Sequence, residues 1–259
     1  MQQRIDALDM SYMSDLSKKD ISNLKSEITS LQSSMNSELA ATNWKIPDVG
    51  MEFVWITALN CWVGKYEVTN EEYRKYKRTR NKNEFDDSLK GDRLPVIYVN
   101  YDDATEYAKW LTKREQKAGR LPTGGCYRLP TEKEWTTFSK CGDNRKYPWG
   151  DDMPPKYGNY SGQESMLKGA LTGKISGYDD GFPELCPVEE SGKNDWGLYG
   201  VGGNAWECTV KSETNLSFDA WRGASWIDFE PEVLRCSSRD ADRASSRDSI
   251  SGFRLVLAR

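Results

Sequence analysis

Histidine is absent from all 259 residues, and that absence narrows the chemistry open to the chain. Without imidazole there is no Ser-His-Asp or Cys-His relay, no His-rich zinc site and no three-His iron centre. Three kinds of group remain. Cys61, Cys126, Cys141, Cys186, Cys208 and Cys236 are scattered with no C-x-x-C pair. They read as mostly reduced, buried thiols, with one or two disulfides left open for a protein that lives outside a cell. A run of oxygen donors extends from Asn194-Asp195-Trp196-Gly197 to Gly203-Asn204-Ala205-Trp206-Glu207, the donor type that hard cations such as calcium take. The third group is the polar stretch from Ile227 to Ser251, rich in Ser, Asp, Arg and Ala and free of Asn. Its chemistry is recognition. Exposed Phe229 and nearby Trp226 are expected as apolar anchors, and Arg239, Asp240, Asp242, Arg243 and Arg247 supply polar selectivity.

A small α+β framework must position these groups. Met51 to Ile56 and Cys61 to Val68 alternate as strands. Thr69 and Glu72 form a capping box for a helix over Glu71 to Lys77. Tyr101 to Ala118 is the strongest helix, with Ala104, Tyr107, Ala108, Leu111 and Ala118 on or near one face. Thr131 and Glu134 cap another helix, which turns Trp135 and Phe138 inward. Residues 79–93 read as a surface loop, and Cys141 to Gly192 as long-loop chain on a rigid base. Ser225-Trp226 and Phe253 to Leu257 are expected as close final strands holding the ends of the polar stretch. Trp149, Trp196, Trp206, Trp221 and Trp226 weigh more as core pillars than as ligand contacts. Arg254 is expected to pair internally, with Glu207 or Glu134.

Residues 1 to about 40 contain no Gly, Pro or Trp. Ile21, Leu24, Ile28, Leu31 and Met35 follow a heptad spacing, and Ile5, Leu8 and Tyr12 start a similar seam. This reads as a helical coiled-coil stem over 1–41, making a dimer or trimer, with an amphipathic helix folded on its own domain as the rival reading. Residues 42–50 read as a linker and 51–259 as the main domain. The formal net charge of −4 gives no basic field for nucleic acid or an anionic membrane. No apolar run approaches the roughly 20 residues that span a bilayer. The start, MQQRIDALDM, lacks the form of a secretory signal. The expectation is a chain cytoplasmic when synthesised and then virion-associated or surface-displayed, without direct membrane insertion.

Several stretches recur in a telling order: GKYEVTNEEYRKY from Gly64, LPVIYVNYDDATEYAKWL from Leu94, YRLPTEKEWTTF from Tyr127, YPWGDD from Tyr147, WGLYGVGGNAWE from Trp196, WRGASW from Trp221 and the closing GFRLVLAR. Together, over roughly Pro47 to Arg259, they resemble the formylglycine-generating enzyme (sulfatase-modifying factor) family. The resemblance implies a loop-rich, C-type lectin-like α+β fold. It also implies a pair of copper-binding cysteines after the GGS-type motif, which here reads GASW. The first falls on or near Asp228 and the second near Pro231 to Val233, where this chain has no thiol. Cys236 falls at a different, structural cysteine position of the family. The other enzymatic branch, the iron sulfoxide synthases, needs histidines. The resemblance further implies a structural calcium, with Asn194, the backbone of Gly197 and Gly203, and Glu207 as the chosen ligands.

The stretch between WRGASW and GFRLVL also resembles the variable regions of retroelement-diversified proteins built on this fold. The ligand-contacting positions chosen on that basis are Trp226, Ile227, Asp228, Phe229, Ser238, Asp240, Ala241, Asp242, Ala244, Ser246, Asp248 and Ser249. An ordinary polar surface loop is the competing reading. The expected function is noncatalytic binding of a protein or carbohydrate ligand on a target surface, as in a phage tail receptor-binding or surface-display protein. The alternatives are a family oxidase or maturation factor with an altered site, and a structural accessory subunit.

Overall fold

Three reciprocal capping boxes decide where helices of the main domain begin. Thr69 with Glu72, Asn100 with Asp103 and Thr131 with Glu134 each pair an N-cap side chain with the N3 backbone and return the N3 carboxylate to the N-cap N–H. Each such cap is worth about 1 kcal/mol. The structure, a computed structural model, describes residues 20–28, 30, 43–77, 87–165, 173–210, 218–241 and 247–259. The chain divides into two units, 1–43 and 44–259.

In the first unit residues 20–28 are helical (α1) and carry Ile21, Leu24 and Ile28; Leu31, Met35 and the earlier seam of Ile5, Leu8 and Tyr12 lie outside the described residues. In the second unit the order is β1 (Trp44–Lys45), β2 (Glu52–Ile56), β3 (Cys61–Gly64), α2 (Asn70–Arg74), α3 (Tyr101–Lys117), β4 (Cys126–Arg128), α4 (Glu132–Ser139), β5 (Trp206–Val210), β6 (Phe218–Arg222), β7 (Ser251–Gly252) and β8 (Val256–Ala258). Five strands form an antiparallel sheet in the order β1-β2-β3-β8-β4. A second sheet, β6-β5-β7, pairs β5 antiparallel with β6 and parallel with β7. Among the described residues no helix or strand element lies between α4 and β5, the long-loop region the composition predicts. No helix among them is long and apolar enough to cross a membrane.

The core gathers where α3 meets the larger sheet. Phe53, Trp62, Tyr107, Leu111, Phe253 and Leu257 are all fully buried, each contributing roughly 1.5–3 kcal/mol by leaving water. Tyr73 of α2 stacks on Tyr107 at 5.4 Å between ring centroids. β4 is an edge strand, and α3 closes it. The Tyr127 N–H donates to Thr112 Oγ1 at 2.9 Å, and that hydroxyl lies 3.3 Å from the Tyr127 carbonyl. One threonine thus covers the outward groups through which a free edge would recruit another strand.

Several boundaries differ from expectation. The domain begins at Trp44 rather than residue 51: β1 pairs with β2, and Ile46 and Val49 are buried in the turn between them, so 44–50 is not a linker. α2 is shorter than Glu71–Lys77 because its last turn tightens at Lys75, whose N–H reaches Glu72 and Tyr73. The strand expected to Val68 ends at Gly64, after which Val68 bonds Phe253 instead of β2. On α3 the buried face closes with Glu115, not Ala118; Arg114 and Arg120 neutralise that carboxylate. Ser225-Trp226 is not a strand, because Gly223 and Ala224 take φ of +102° and +63° and turn the chain out of β6.

Candidate functional site

The segment from Trp226 to Ser251 leaves the smaller sheet after β6 and returns to it at β7. Backbone bonds fix it at intervals. Ser161 N–H donates to the Asp228 carbonyl (3.1 Å) and Cys236 N–H to Lys146 (2.9 Å). Trp221 and Asp240 exchange bonds of 2.9 and 3.0 Å, and Tyr98 N–H reaches the Asp248 carbonyl at 2.8 Å. Side chains add two clamps at helix N-termini. Arg247 Nε donates to Asp103 Oδ2 of α3 at 2.7 Å, and Arg239 pairs with Glu132 of α4 at 3.3 Å. Burial works against the Asp103 carboxylate, but the Arg247 bond and the Asn100 N–H outweigh it and hold the carboxyl below its usual range. Glu132 also receives Arg222, a buried guanidinium lying over the Trp135 ring. Asp103 and Glu132 were not among the residues singled out; their signal was position, the first turn of a capped helix.

The chosen contact residues separate by exposure. Ile227, Phe229, Ser238, Asp240, Asp248 and Ser249 are half-buried and Ala241 is exposed. Asp242, Ala244 and Ser246 lie outside the described residues. Trp226, weighed above as a core pillar and also chosen as an anchor beside Phe229, is only 8% exposed and packs in the core; its indole N–H donates to the Ser249 carbonyl at 3.2 Å, so it supports the face from beneath. Asp228 orders the turn. Its Oδ2 accepts from Ser225 N–H (2.8 Å), Ser225 O–H (2.7 Å) and Trp206 Nε1 (3.0 Å). Phe229 and Pro231 line a cavity of about 390 Å³ with Met153, Pro154, Lys174 and Ile175.

The thiols do not form a catalytic pair at the implied positions. Asp228 holds the first, and Pro231, Glu232 and Val233 occupy the region of the second. Cys236 is fully buried, and burial pushes its thiol up to about 11. None of the six cysteines is in a disulfide; Cys61, Cys186 and Cys208 are also buried, Cys141 is half-buried and Cys126 exposed.

The side chains among the expected calcium ligands are engaged by protein donors. Asn194 Oδ1 accepts from the N–H groups of Trp196 (3.0 Å) and Leu198 (3.1 Å), while its amide donates to Phe138. Gly197 N–H closes the same turn onto the Asn194 carbonyl, and Gly203 N–H bonds Gly223. Glu207 receives Arg254 Nη2 at 2.7 Å and Trp135 Nε1 at 2.8 Å. Arg254 therefore pairs with Glu207; Glu134 takes Arg128. A carboxylate already neutralised by a buried guanidinium and an amide oxygen already holding two N–H groups do not fit a calcium cage. Among the described residues no group of three or more His, Cys, Asp or Glu side chains is placed to hold a metal ion.

A buried polar cluster missed by sequence reasoning lies beneath the glycine-rich turn. Glu67, fully buried, accepts from Asn204 Nδ2 at 3.2 Å, and Asn204 Oδ1 accepts from Asn159 Nδ2 at 3.0 Å. Burial raises the Glu67 carboxyl to about 8. Gly200 is required here: a Cβ on it would lie 2.3 Å from Glu67 Oε2, and its φ is +60°.

Comparison with known proteins places this geometry in a family. The model of the sulfatase-modifying factor enzyme 1-like domain matches residues 39–259. A formylglycine-generating enzyme of Thermomonospora curvata is 30% identical over 61% of this chain and 44% of its own length. The inactive C-alpha-formylglycine-generating enzyme 2 of Bos taurus is 35% identical over 63% of the chain and 50% of its own. The chain thus spans half or less of the length of these curated relatives. Among solved structures, Treponema denticola variable protein 1 shares the fold with a TM-score of 0.52 and 19% identity, covering 76% of this chain and 84% of its own. The chain belongs to the sulfatase-modifying factor enzyme 1-like domain family and has the loop-rich, C-type lectin-like fold of the formylglycine-generating-enzyme type.

Proposed function

We propose that the chain is a noncatalytic binding protein whose contact face is the segment from Ile227 to Ser249. The observation that carries this reading is Asp228. It occupies the place where the family resemblance expects the first catalytic thiol, and its carboxylate organises the turn through Ser225 and Trp206. A residue held in this way shapes the start of a presenting loop rather than supplying a soft metal ligand. Downstream, half-buried Phe229, Ser238, Asp240 and Asp248 lie on chain pinned by backbone bonds and by two arginine clamps. Holding contact residues on a fixed backbone lowers the entropy lost on binding. The ligand class is a protein or carbohydrate on a target surface.

The finer form of the proposal is that a retroelement diversifies this face. The family contains an inactive relative, and a protein called a variable protein shares the fold; both are compatible with it. The test of binding is an array of glycans and surface proteins probed with the wild-type chain and with Phe229→Ala/Asp240→Ala. Binding lost in the variant at unchanged melting temperature supports the face, and equal binding by both sinks it. The test of diversification is sequencing codons 221–259 across a growing population of the source organism. Adenine-templated changes concentrated at 229 and 238–249 support it; an invariant segment removes the retroelement and leaves a plain binding or accessory domain.

A further inference from the structure

Among the described residues three large apolar side chains stand exposed: Leu24 at 46%, Ile28 at 39% and Met153 at 37%. Two of the three belong to α1, four residues apart, with half-buried Ile21 three residues before Leu24. The sequence continues the spacing to Leu31 and Met35. This is a heptad seam with Ile21 and Ile28 at a and Leu24 at d, a combination that favours two strands. A solvated helix draws most of its stability from covering such a stripe.

Charge on the flanks selects the occupant and its direction. The g positions are acidic, Asp20 and Glu27, and the e position between them is Lys25; all three are exposed. In a parallel, in-register pair, g of one helix meets e of the next heptad of the other. Asp20 then faces Lys25 on both sides of the two-fold axis. An antiparallel pair sets g against g and e against e, placing acid on acid and lysine on lysine. We propose that the apolar stripe of α1 docks on a second copy of this chain as a parallel coiled coil, closed by Ile21, Leu24 and Ile28 and oriented by Asp20 against the partner's Lys25. The inference is independent of the ligand-binding reading. Where both hold, two linked faces raise avidity on a multivalent surface by about 10²–10⁴-fold without a new contact.

Sedimentation equilibrium of the full chain tests it. The wild-type chain is expected at dimer mass. Leu24→Glu/Ile28→Glu should weaken self-association by more than about 100-fold while leaving the melting temperature of the main domain unchanged. Lys25→Asp alone should weaken it on the order of ten-fold, and Asp20→Lys/Lys25→Asp should restore it. A monomeric wild type overturns the proposal, as does a dimer unaffected by the apolar variant. A main domain that melts earlier in the apolar variant overturns it too, since the stripe then covers the chain's own core. Failure of the charge-swapped pair to recover overturns the parallel arrangement.

Discussion

Arg254 and Glu207 meet at 2.7 Å with side chains 0% and 1% exposed, and together they tie both sheets to the loop that precedes β5. The guanidinium also donates to the carbonyls of Gly64 on β3 (2.8 Å) and Tyr199 (2.6 Å), and the carboxylate takes the Trp135 indole of α4. Removing one partner leaves the other charge buried without compensation. Glu207→Gln should therefore lower unfolding free energy by about 3–5 kcal/mol. Glu207→Gln/Arg254→Met should cost less than the two single changes added. Urea denaturation of the three variants decides this, and a loss under about 1 kcal/mol for Glu207→Gln would show that the pair is not the central tie.

The carboxyls of Glu67, Glu72 and Asp180 are raised by burial to about 8, about 7 and about 6. Each holds a proton in the folded chain that the unfolded chain has already released. Their contribution to stability is complete below the ordinary carboxyl range. It is lost as pH rises through those folded values, so stability should fall between about pH 5 and pH 8. Glu67 isolates the largest part: its Oε1 has no hydrogen-bond partner, and its charged form is the costly one. Glu67→Gln should be more stable than wild type at pH 9 by at least about 1 kcal/mol, with the gap closing at pH 5. Melting curves at the two pH values check the sign. A gap that widens toward acid would mean Glu67 is held ionised.

Asp228 and its neighbours in the segment should respond to substitution in opposite ways. Asp228→Ala strands the Ser225 N–H and the Trp206 indole N–H, at a cost of about 2 kcal/mol. Ser238→Ala and Ala241→Ser alter half-exposed or exposed positions with no such role and should stay within about 0.5 kcal/mol. Thermal melts of the three variants test the division. Equal, small effects would return Asp228 to the contact face.

What the sequence made legible was local. Thr69 with Glu72 and Thr131 with Glu134 are read three residues apart, and the structure forms both boxes. The choice between Glu207 and Glu134 as the Arg254 partner was not local, because it depends on β5 pairing with β7, which sets Glu207 opposite Gly252. Trp226 and Asp228 were placed on the face because the stretch that holds them resembles a variable region. Their partners, Ser249 and Trp206, lie 23 and 22 residues away in sequence, and no periodicity reports such a contact. The turn at 44–50 read as a linker through its Pro and Gly, while the burial of Ile46 and Val49 comes from β1 joining the sheet edge.

The two arginine clamps on the segment predict a change in local opening without a change in global stability. Arg247 and Arg239 are about half exposed, against less exposed Asp103 and Glu132; such pairs are worth about 0.2–1 kcal/mol each. Arg239→Ala/Arg247→Ala should leave the urea midpoint almost in place. Yet the bonds joining Asp248 to Tyr98 and Asp240 to Trp221 depend on the segment lying against α3 and α4, and low-energy local openings govern access to such chain. Subtilisin should therefore cut the variant between residues 236 and 250 several-fold faster than wild type, an effect that 1 M salt should reproduce in the wild-type chain by screening the same pairs. If cutting is unchanged, the backbone bonds hold the segment by themselves; if the urea midpoint drops in parallel with faster cutting, the clamps belong to the global fold.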